Sequence, residues 1–363
     1  MWPQAADDGP RPLRLVVSVA EPSGDRLAAE LLAALGQVGE LDVRGVTGPA
    51  LRAAGVASLG RMESLSVMGL TEVLGHLRVV RRIRRDVIAT LDPRSTDALI
   101  VVDAPDLHLP LARAARDRGI PAIGYVSPQV WAWRPGRVDG IAEALDALLC
   151  LFAFEPELYA DAAARHGCDV RWVGHPVRDR IPGRTRVDPH HVGLLPGSRP
   201  QELDRHLGPF LETWARYRAL APEARATLVV PAHLQDHLGS LPASVTVSDD
   251  IASVADCRRV LTKSGTVTLE LAVMGVPMVV AHQVSPLTYA VGRRLVRGVS
   301  HIALPNILAG REVVPERVQD LDPDALAALL AALPDPQPLD LSALGPPGAA
   351  DRAAAALLAA LPA

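Results

Sequence analysis

Short apolar runs alternate with stretches of helical period along the chain. Leu13–Ala20, centred on Leu15-Val16-Val17, has the length and continuity of a buried strand. The turn Glu21-Pro22-Ser23-Gly24-Asp25 follows, then a helix from about Arg26 to Leu35, with Ser23 or Asp25 as its expected N-cap. Val43–Val46 reads as a second strand, ended by Gly48-Pro49. Ala98–Val102 is a third, closed by Asp103-Ala104-Pro105-Asp106. A helix near Leu111–Arg118 leads to strands over Ile120–Val126 and Leu145–Phe152. Strands alternating with helices imply βαβ units and a parallel sheet.

The pattern then restarts. Arg180–Pro189 is rich in Pro, Gly and Arg and reads as a linker. His191–Leu195 is a strand entering Pro196-Gly197-Ser198-Arg199, followed by a helix around Glu202–Ala219 and a strand over Ala226–Val230. Val245–Val247, Val260–Thr262 and Met278–Ala281 are further strands, with a helix over Thr266–Met274. Leu321–Leu333 and Asp351–Leu361 are Ala/Leu helices. The expected architecture is α/β: two Rossmann-like domains, 13–180 and 190–345, facing a central cleft. A frayed stretch, 1–12, precedes them. A C-terminal helix, 346–363, is expected to pack back on the first domain. Ligands should sit at the carboxyl ends of the strands and between the halves.

Composition narrows the function classes. The 363 residues are 49% hydrophobic and 21% charged, enough for real cores, and 3% aromatic, so the cores must be aliphatic. A net charge of −4 argues against a global nucleic-acid footprint. Cys150, Cys168 and Cys257 lack disulfide or metal spacing, which suits a reducing compartment. No apolar run approaches the roughly 18 residues of a membrane span, and the N-terminus lacks a signal-peptide core. Binding to a membrane surface stays open. Lys263 is the single lysine, which reads as compositional bias.

Four turns carry candidate chemistry. In the first, Gly24 would let the chain approach a ligand, and the following helix start would favour anionic or hydroxyl-rich groups. An ordinary capped turn is the competing reading. Asp103 ends a hydrophobic strand, where partial desolvation would suit a general base, while Asp106 would cap the next helix. Gly197, Ser198 and Arg199 offer amides and a guanidinium to a diphosphate. Ser264, Gly265 and Thr266 open a helix in which Glu270 would take ribose hydroxyls. Neither pair of turns has the spacing of a P-loop or a dinucleotide fingerprint. Tyr125–Arg134 (YVSPQVWAWR) places Ser127, Gln129, Trp131 and Trp133 on a proposed sugar-acceptor surface.

Val67–Ile88 is amphipathic. Leu70, Val73, Leu74, Leu77, Val80 and Val87 recur at helical spacing, and Arg78, Arg81, Arg82 and Arg85 lie on a neighbouring face. Arg84 interrupts the apolar arc. Such a helix either packs on a core with its arginines in water or lies on an anionic membrane. The scattered histidines have no metal-ligand spacing, so no metal is expected.

Taken together, these segments resemble the lipid-A-disaccharide synthase family, glycosyltransferases with two Rossmann-like domains in the GT-B arrangement. The matching segments are AEPSGD (Ala20–Asp25), VTGPAL (Val46–Leu51), VMGLTEVL (Val67–Leu74), VDAPDL (Val102–Leu107) and YVSPQVWAWR. They continue with FEPELY (Phe154–Tyr159), VGHPVRD (Val173–Asp179), LLPGSRPQEL (Leu194–Leu203), SGTVTLEL (Ser264–Leu271) and LPNILAGREVVPE (Leu304–Glu316). The order is the family's over about 300 residues. The family's usual residues are replaced at Ala20, Pro22, His108 and Gln129.

The resemblance implies an inverting, metal-free and cofactor-free transfer. A 2,3-diacylglucosamine unit moves from UDP to the 6-hydroxyl of 2,3-diacylglucosamine 1-phosphate. The products are the lipid A disaccharide 1-phosphate and UDP. It places the family's aspartate on Asp103, its arginine on Arg199 and its asparagine on Asn306. UDP-sugar would meet Gly197, Ser198, Arg199, Ser264, Gly265, Thr266, Glu270, Asn306 and Arg311. The acceptor would meet Glu21, Ser23, Gly24, Asp25, Ser127, Gln129 and Trp131. Val67, Met68, Leu70, Val73, Leu74 and Leu77, with Arg78, Arg81, Arg82 and Arg85, would form a membrane and acyl-chain patch. The implied location is cytoplasmic, on the inner face of the inner membrane, and a homodimer is compatible. Two alternatives stay open: a GT-B enzyme on another UDP-sugar (a UDP-N-acetylglucosamine transferase or epimerase), or a non-catalytic lipid- or nucleotide-binding relative.

Overall fold

The computed structural model describes residues 11–65, 73–131, 135–286, 289, 301–335, 337 and 339–362; of residues 73–77 only the helical backbone is described. The chain forms two compact units. One runs to Pro176 and includes Ser342–Ala363; the other is Val177–Leu341.

The first unit is built on seven parallel strands: β1 (Leu13–Ser18), β2 (Leu41–Thr47), β3 (Ala57–Arg61), β4 (Ala98–Val102), β5 (Ala122–Tyr125), β6 (Ala147–Cys150) and β7 (Asp169–Trp172). Their order across the sheet is β3-β2-β1-β4-β5-β6-β7. The central strands bury both faces. In β1, Leu15 and Val17 enter one core while Val16 enters the other; in β4, Ile100 and Val102 alternate with Leu99 and Val101 in the same way. That is why these runs read as continuous hydrophobics rather than alternating ones. Helix α1 (Pro22–Gly36) and the terminal helix Ala349–Ala360 cover one face through Leu27, Leu31, Leu35, Ala353 and Leu357. Helices α3 (Val73–Ala89), α4 (Pro105–Arg116) and α5 (Val138–Ala144) supply Ile83, Val87, Leu111 and Ile141 to the other; α2 (Pro49–Ala53) is a short turn after β2. Helix α6 is Glu155–His166. Arg352 on the terminal helix donates from Nε to the Val173 carbonyl at 2.9 Å.

Several expectations are corrected. Arg11, expected to fray, pairs with Asp97 at 2.6 and 2.8 Å. Helix α1 starts at Pro22, with Glu21 at the N-cap and no side-chain cap, so neither Ser23 nor Asp25 caps it. The expected linker lies inside the second unit, which starts at Val177: Arg180 ends a helical turn, α7 (Val177–Arg180), residues 181–187 are neither helix nor strand, and β8 begins at Asp188.

The second unit has six parallel strands: β8 (Asp188–Leu195), β9 (Arg225–Val229), β10 (Val245–Ser248), β11 (Cys257–Thr262), β12 (Met278–His282) and β13 (Glu316–Val318). The order is β10-β9-β8-β11-β12-β13. Helix α8 (Pro200–Leu220) follows β8, with Pro200 at its first position, and α9 (Val267–Met274) follows β11. Leu203, Phe210 and Trp214 of α8 are buried against Leu194, Leu228 and Leu261.

Candidate active site

Both sheets share one strand logic. Numbered within its unit, each runs 3-2-1-4-5-6, with one more strand in the first. Chain direction across the sheet reverses between strands 1 and 4, and ligands of open α/β sheets bind at the carboxyl ends beside that reversal. The four turns singled out in the sequence flank the two reversal points. Glu21–Asp25 and Asp103–Asp106 follow β1 and β4, which pair with Ser18 opposite Val101. Pro196–Arg199 and Lys263–Thr266 follow β8 and β11, which pair with Leu195 opposite Thr262.

In the first unit a cavity of about 710 Å³ opens at the reversal point, and its lining includes Glu21, Asp103, Asp106 and Gln129. The backbone beneath it is strained. Asp103 (φ 51°), Ala104 (φ 44°) and Val126 (φ 74°) are left-handed without being glycine. They sit where β4 and β5 end, and such strain concentrates at functional sites. The Asp103 amide donates to the Tyr125 carbonyl at 3.2 Å. His108 holds the other side. Its Nδ1 donates to the Asp103 carbonyl at 2.6 Å, and its Nε2 accepts from the Ser18 hydroxyl at 3.0 Å. Burial lowers the His108 pKa to about 4, so it is a neutral strut. Asp103 itself meets solvent at the cavity. The protein crowding its carboxyl raises the pKa above the ordinary value by desolvation, and the charge of Glu21 adds to the rise.

Other acceptor candidates are distributed differently. Asp25 is buried and accepts from the Gly48, Ala50 and Leu51 amides at 2.8, 2.7 and 3.2 Å. It therefore holds the start of α2, and its carboxylate is occupied. A Cβ on Gly24 would stand 3.2 Å from Val102 Cγ1, so this glycine serves close packing of α1 on β4. Ser23 is exposed in the first turn of α1.

Ser127 is buried, donating to the Pro128 carbonyl at 3.1 Å and bonded to the Tyr159 hydroxyl at 3.1 Å. It supports the loop from below. Trp131 packs edge-on against Phe154, with ring centroids 5.7 Å apart, and lines a separate cavity of about 380 Å³. Trp133 and Arg134 lie outside the described residues. Beneath the loop, buried Glu155 accepts from the Leu151 and Phe152 amides, both at 3.0 Å. Burial lifts its pKa to about 7, against the opposing pull of those amides, Trp131 and Ser127. Glu155 was not a sequence candidate; its place in FEPELY was the available signal.

In the second unit Gly197 adopts φ 133°, and a Cβ there would meet Glu202 Cβ at 2.6 Å. Glu202 reaches back from α8 to accept from the Ser198 amide at 3.0 Å, while Lys263 Nζ donates to it at 2.7 Å. Arg199 stands largely exposed, 3.5 Å from the same carboxylate. The Lys263 and Arg199 charges and the Ser198 amide hold the Glu202 pKa below its usual value despite burial. Lys263 thus ties the turn after β8 to the turn after β11. Its adjacency to Ser264-Gly265-Thr266 was the signal that compositional reasoning set aside. Ser264 donates to the Ile302 carbonyl at 2.7 Å, and Thr266 is exposed at the start of α9.

Two donor-site candidates carry internal roles. Glu270 is buried and paired with Arg180 at 2.8 Å. Asn306 is fully buried. Its Nδ2 donates to the Val314 carbonyl (2.8 Å) and Glu316 Oε2 (3.1 Å), and its Oδ1 accepts from the Val313 and Val314 amides (2.7 and 2.8 Å). All four positions of its amide are used by protein. Asn306 is corrected from a ligand contact to the knot of the 302–316 loop. Arg311 is exposed on that loop.

The proposed membrane patch divides. Val67, Met68 and Leu70 lie outside the described residues, and Val73, Leu74 and Leu77 are described only as helix backbone. Arg78, Arg81, Arg82 and Arg85 are exposed. Val87, read as part of the apolar stripe, is buried in the core with Ile83. The later turns of α3 are therefore an ordinary core-packed helix. Among the described residues no helix is long and apolar enough to cross a membrane. One grouping, His191, Asp256 and Cys257, has metal-ligand atoms close together. Both His191 nitrogens are already bonded, to Asp256 at 2.6 Å and Thr227 at 2.8 Å.

Comparison with known proteins agrees with this fold. A family model described as lipid-A-disaccharide synthetase matches residues 15–331. The lipid-A-disaccharide synthase of Alkalilimnicola ehrlichii is 42% identical over 352 residues, covering 90% of each chain. That of Geobacter sulfurreducens is 40% identical, covering 88% of this chain and 86% of its own. The solved glycotransferase of kitacinnamycin superposes with a TM-score of 0.62 at 19% identity, covering 97% of this chain and 100% of its own. The UDP-GlcNAc 2-epimerase of Methanocaldococcus jannaschii gives 0.60 at 11% identity, covering 96% of this chain and 100% of its own. The solved structures speak for the two-sheet GT-B fold alone. The family model and the sequence relatives go further: this chain belongs to the lipid-A-disaccharide synthase family of glycosyltransferases.

Proposed function

We propose that the protein transfers 2,3-diacylglucosamine from UDP to the 6-hydroxyl of 2,3-diacylglucosamine 1-phosphate, with inversion. The observation that carries the reading is Asp103: a carboxyl of raised pKa on strained backbone, lining the cavity at the reversal point of the first sheet. A base needs a pKa lifted toward the working pH, and desolvation supplies that. Asp103 takes the proton of the acceptor hydroxyl as its oxygen bonds to the anomeric carbon. The bond from that carbon to the UDP oxygen breaks, and UDP leaves with the electron pair.

In the second unit, the amides of Gly197, Arg199 and Ser264–Thr266 and the Arg199 guanidinium receive the diphosphate. Arg311 is exposed on the adjoining loop for the same ligand. Exposed Arg78, Arg81, Arg82 and Arg85 favour contact with an anionic membrane surface. This reading puts the protein on the cytoplasmic face of the inner membrane.

The test mixes the full chain with UDP-diacylglucosamine and the monosaccharide 1-phosphate. Mass spectrometry should find the tetraacyl disaccharide 1-phosphate and UDP. Asp103→Asn should lose roughly 10²–10⁴ in turnover, the usual contribution of a general base, with UDP affinity kept. Full activity in that variant refutes the assignment. Turnover of unacylated UDP-N-acetylglucosamine in place of the acylated donor favours a different UDP-sugar.

A further inference from the structure

We infer that Arg84 and Arg137 form a subsite for the phosphate monoester of the sugar acceptor, in the cavity that Asp103 lines. The inference rests on the proposed function and extends it to a part of the acceptor no residue has yet been assigned to hold. Both arginines line that cavity, Arg84 from α3 and Arg137 from the residue before α5.

They converge on one residue. Arg137 Nη2 donates to Asp106 Oδ1 at 2.6 Å, and Arg84 Nη2 donates to the Asp106 carbonyl at 3.2 Å. An oxygen ligand thus already stands before each guanidinium. The Asp106 side chain is 79% exposed, so water can take over its solvation if a stronger anion displaces it. Arg84 also has a need that Asp106 does not meet: its Nε is buried and finds no hydrogen-bond acceptor among the described residues. A buried donor without a partner is costly, and a phosphate brings three acceptor oxygens.

The electrostatics require such a pair. Asp103 and Glu21 line the same cavity. Without nearby cations, these two carboxylates and that of Asp106, which lines the cavity too, would repel a phosphorylated sugar. A neutral sugar would need no guanidinium pair. Position along α3 supports the same point. Arg78, Arg81, Arg82 and Arg85 are exposed, whereas Arg84 is set apart from them and half-buried. What looked like a flaw in an amphipathic helix is a cation delivered to the cavity.

Binding can be read without turnover. The full chain is titrated calorimetrically with glucosamine 1-phosphate and with glucosamine. The phosphorylated sugar should bind at least about tenfold more tightly, the scale of one charge-assisted hydrogen bond. Arg84→Met and Arg137→Met should each lose about tenfold for the phosphorylated probe and leave glucosamine within about twofold. Arg137 is near the surface, so its variant guards against a folding failure at Arg84, and Arg137→Lys should recover part of the loss. In steady state the acceptor KM should rise while the donor KM holds.

Equal wild-type affinity for the two probes, or equal losses for both in the variants, overturns the subsite. So does loss of binding to phosphatidylglycerol vesicles with sugar-phosphate binding intact, which would assign these arginines to a lipid headgroup. Phosphate-selective binding without disaccharide synthesis supports the subsite and refutes the proposed reaction instead.

Discussion

Glu155 offers a test of the loop carrying Ser127, Gln129 and Trp131 that can be worked through in energy. Glu155→Gln removes a charge, keeps the shape, and keeps an oxygen for the Leu151 and Phe152 amides. The wild-type residue is 1% exposed. Burial moves its pKa from 4.5 to about 7, a change equivalent to about 3 kcal/mol. The folded protein therefore holds this proton to a higher pH than the unfolded chain does. Between the two values it binds more protons than the unfolded state, so stability falls as pH rises. The contribution is fully present below about pH 4.5 and gone once pH passes about 7.

The assay is urea unfolding of wild type and variant at pH 5 and pH 8. Wild type should lose most of that roughly 3 kcal/mol relative to Glu155→Gln across the interval. His108 stays neutral over this range, with its pKa near 4, and is common to both proteins. Parallel pH profiles would refute the reasoning: they would mean that Glu155 is solvated, or is held ionised by its two amide donors.

Glu21→Gln should move the acid limb of kcat/KM to lower pH, because removing the Glu21 charge takes away one cause of the raised Asp103 pKa; an unmoved limb counts against Asp103 as the titrating base. Lys263→Met should cost about 3 kcal/mol of stability by leaving the largely buried Glu202 without its nearer cation, with only exposed Arg199 left at 3.5 Å, and adding Glu202→Gln should restore much of it, both read by thermal unfolding. Asn306→Ala should lower the melting temperature sharply, since it orphans one buried amide, one partly buried amide and a buried carbonyl, while UDP affinity in the folded fraction stays near wild type. A selective loss of UDP binding at unchanged stability would return Asn306 to the ligand site.

The central strands were legible because both their faces are covered, so β1, β4, β8, β11 and β12 each carry a short apolar run, such as Leu15-Val16-Val17 in β1 or Val260-Leu261 in β11. The strands passed over, β3, β7 and β13, are three of the four sheet edges; the fourth, β10, was read from Val245-Thr246-Val247. An edge strand is half in water and keeps polar residues, as Asp169-Val170-Arg171-Trp172 does in β7. Sequence pattern signals double burial, which these three edges lack. The same physics explains the boundary at Val177: Arg180 looks like linker chemistry until its distant partner Glu270 is known.

The candidate site divides along the same line between local and distant causes. Turns after β1, β4, β8 and β11 were legible because a glycine, a proline or an acid at a strand end is a local signal. That they form two pairs was not, because pairing depends on strand order, and strand order is set by contacts far apart in sequence. Those contacts also decide which polar residue of a motif faces a ligand and which one builds the loop. Asp25 spends its carboxylate on amides more than twenty residues away, and Asn306 closes a loop on Val313 and Val314. Both lie in motifs that identify the family, yet their bonds are internal. Arg84 runs the other way: outside any motif, it breaks a helical pattern and reaches the cavity. A motif therefore marks where a loop must take one shape, and the chemistry belongs to whichever residues that shape leaves turned toward the cavity, here Asp103 with its raised carboxyl and Arg84 with its unmet donor.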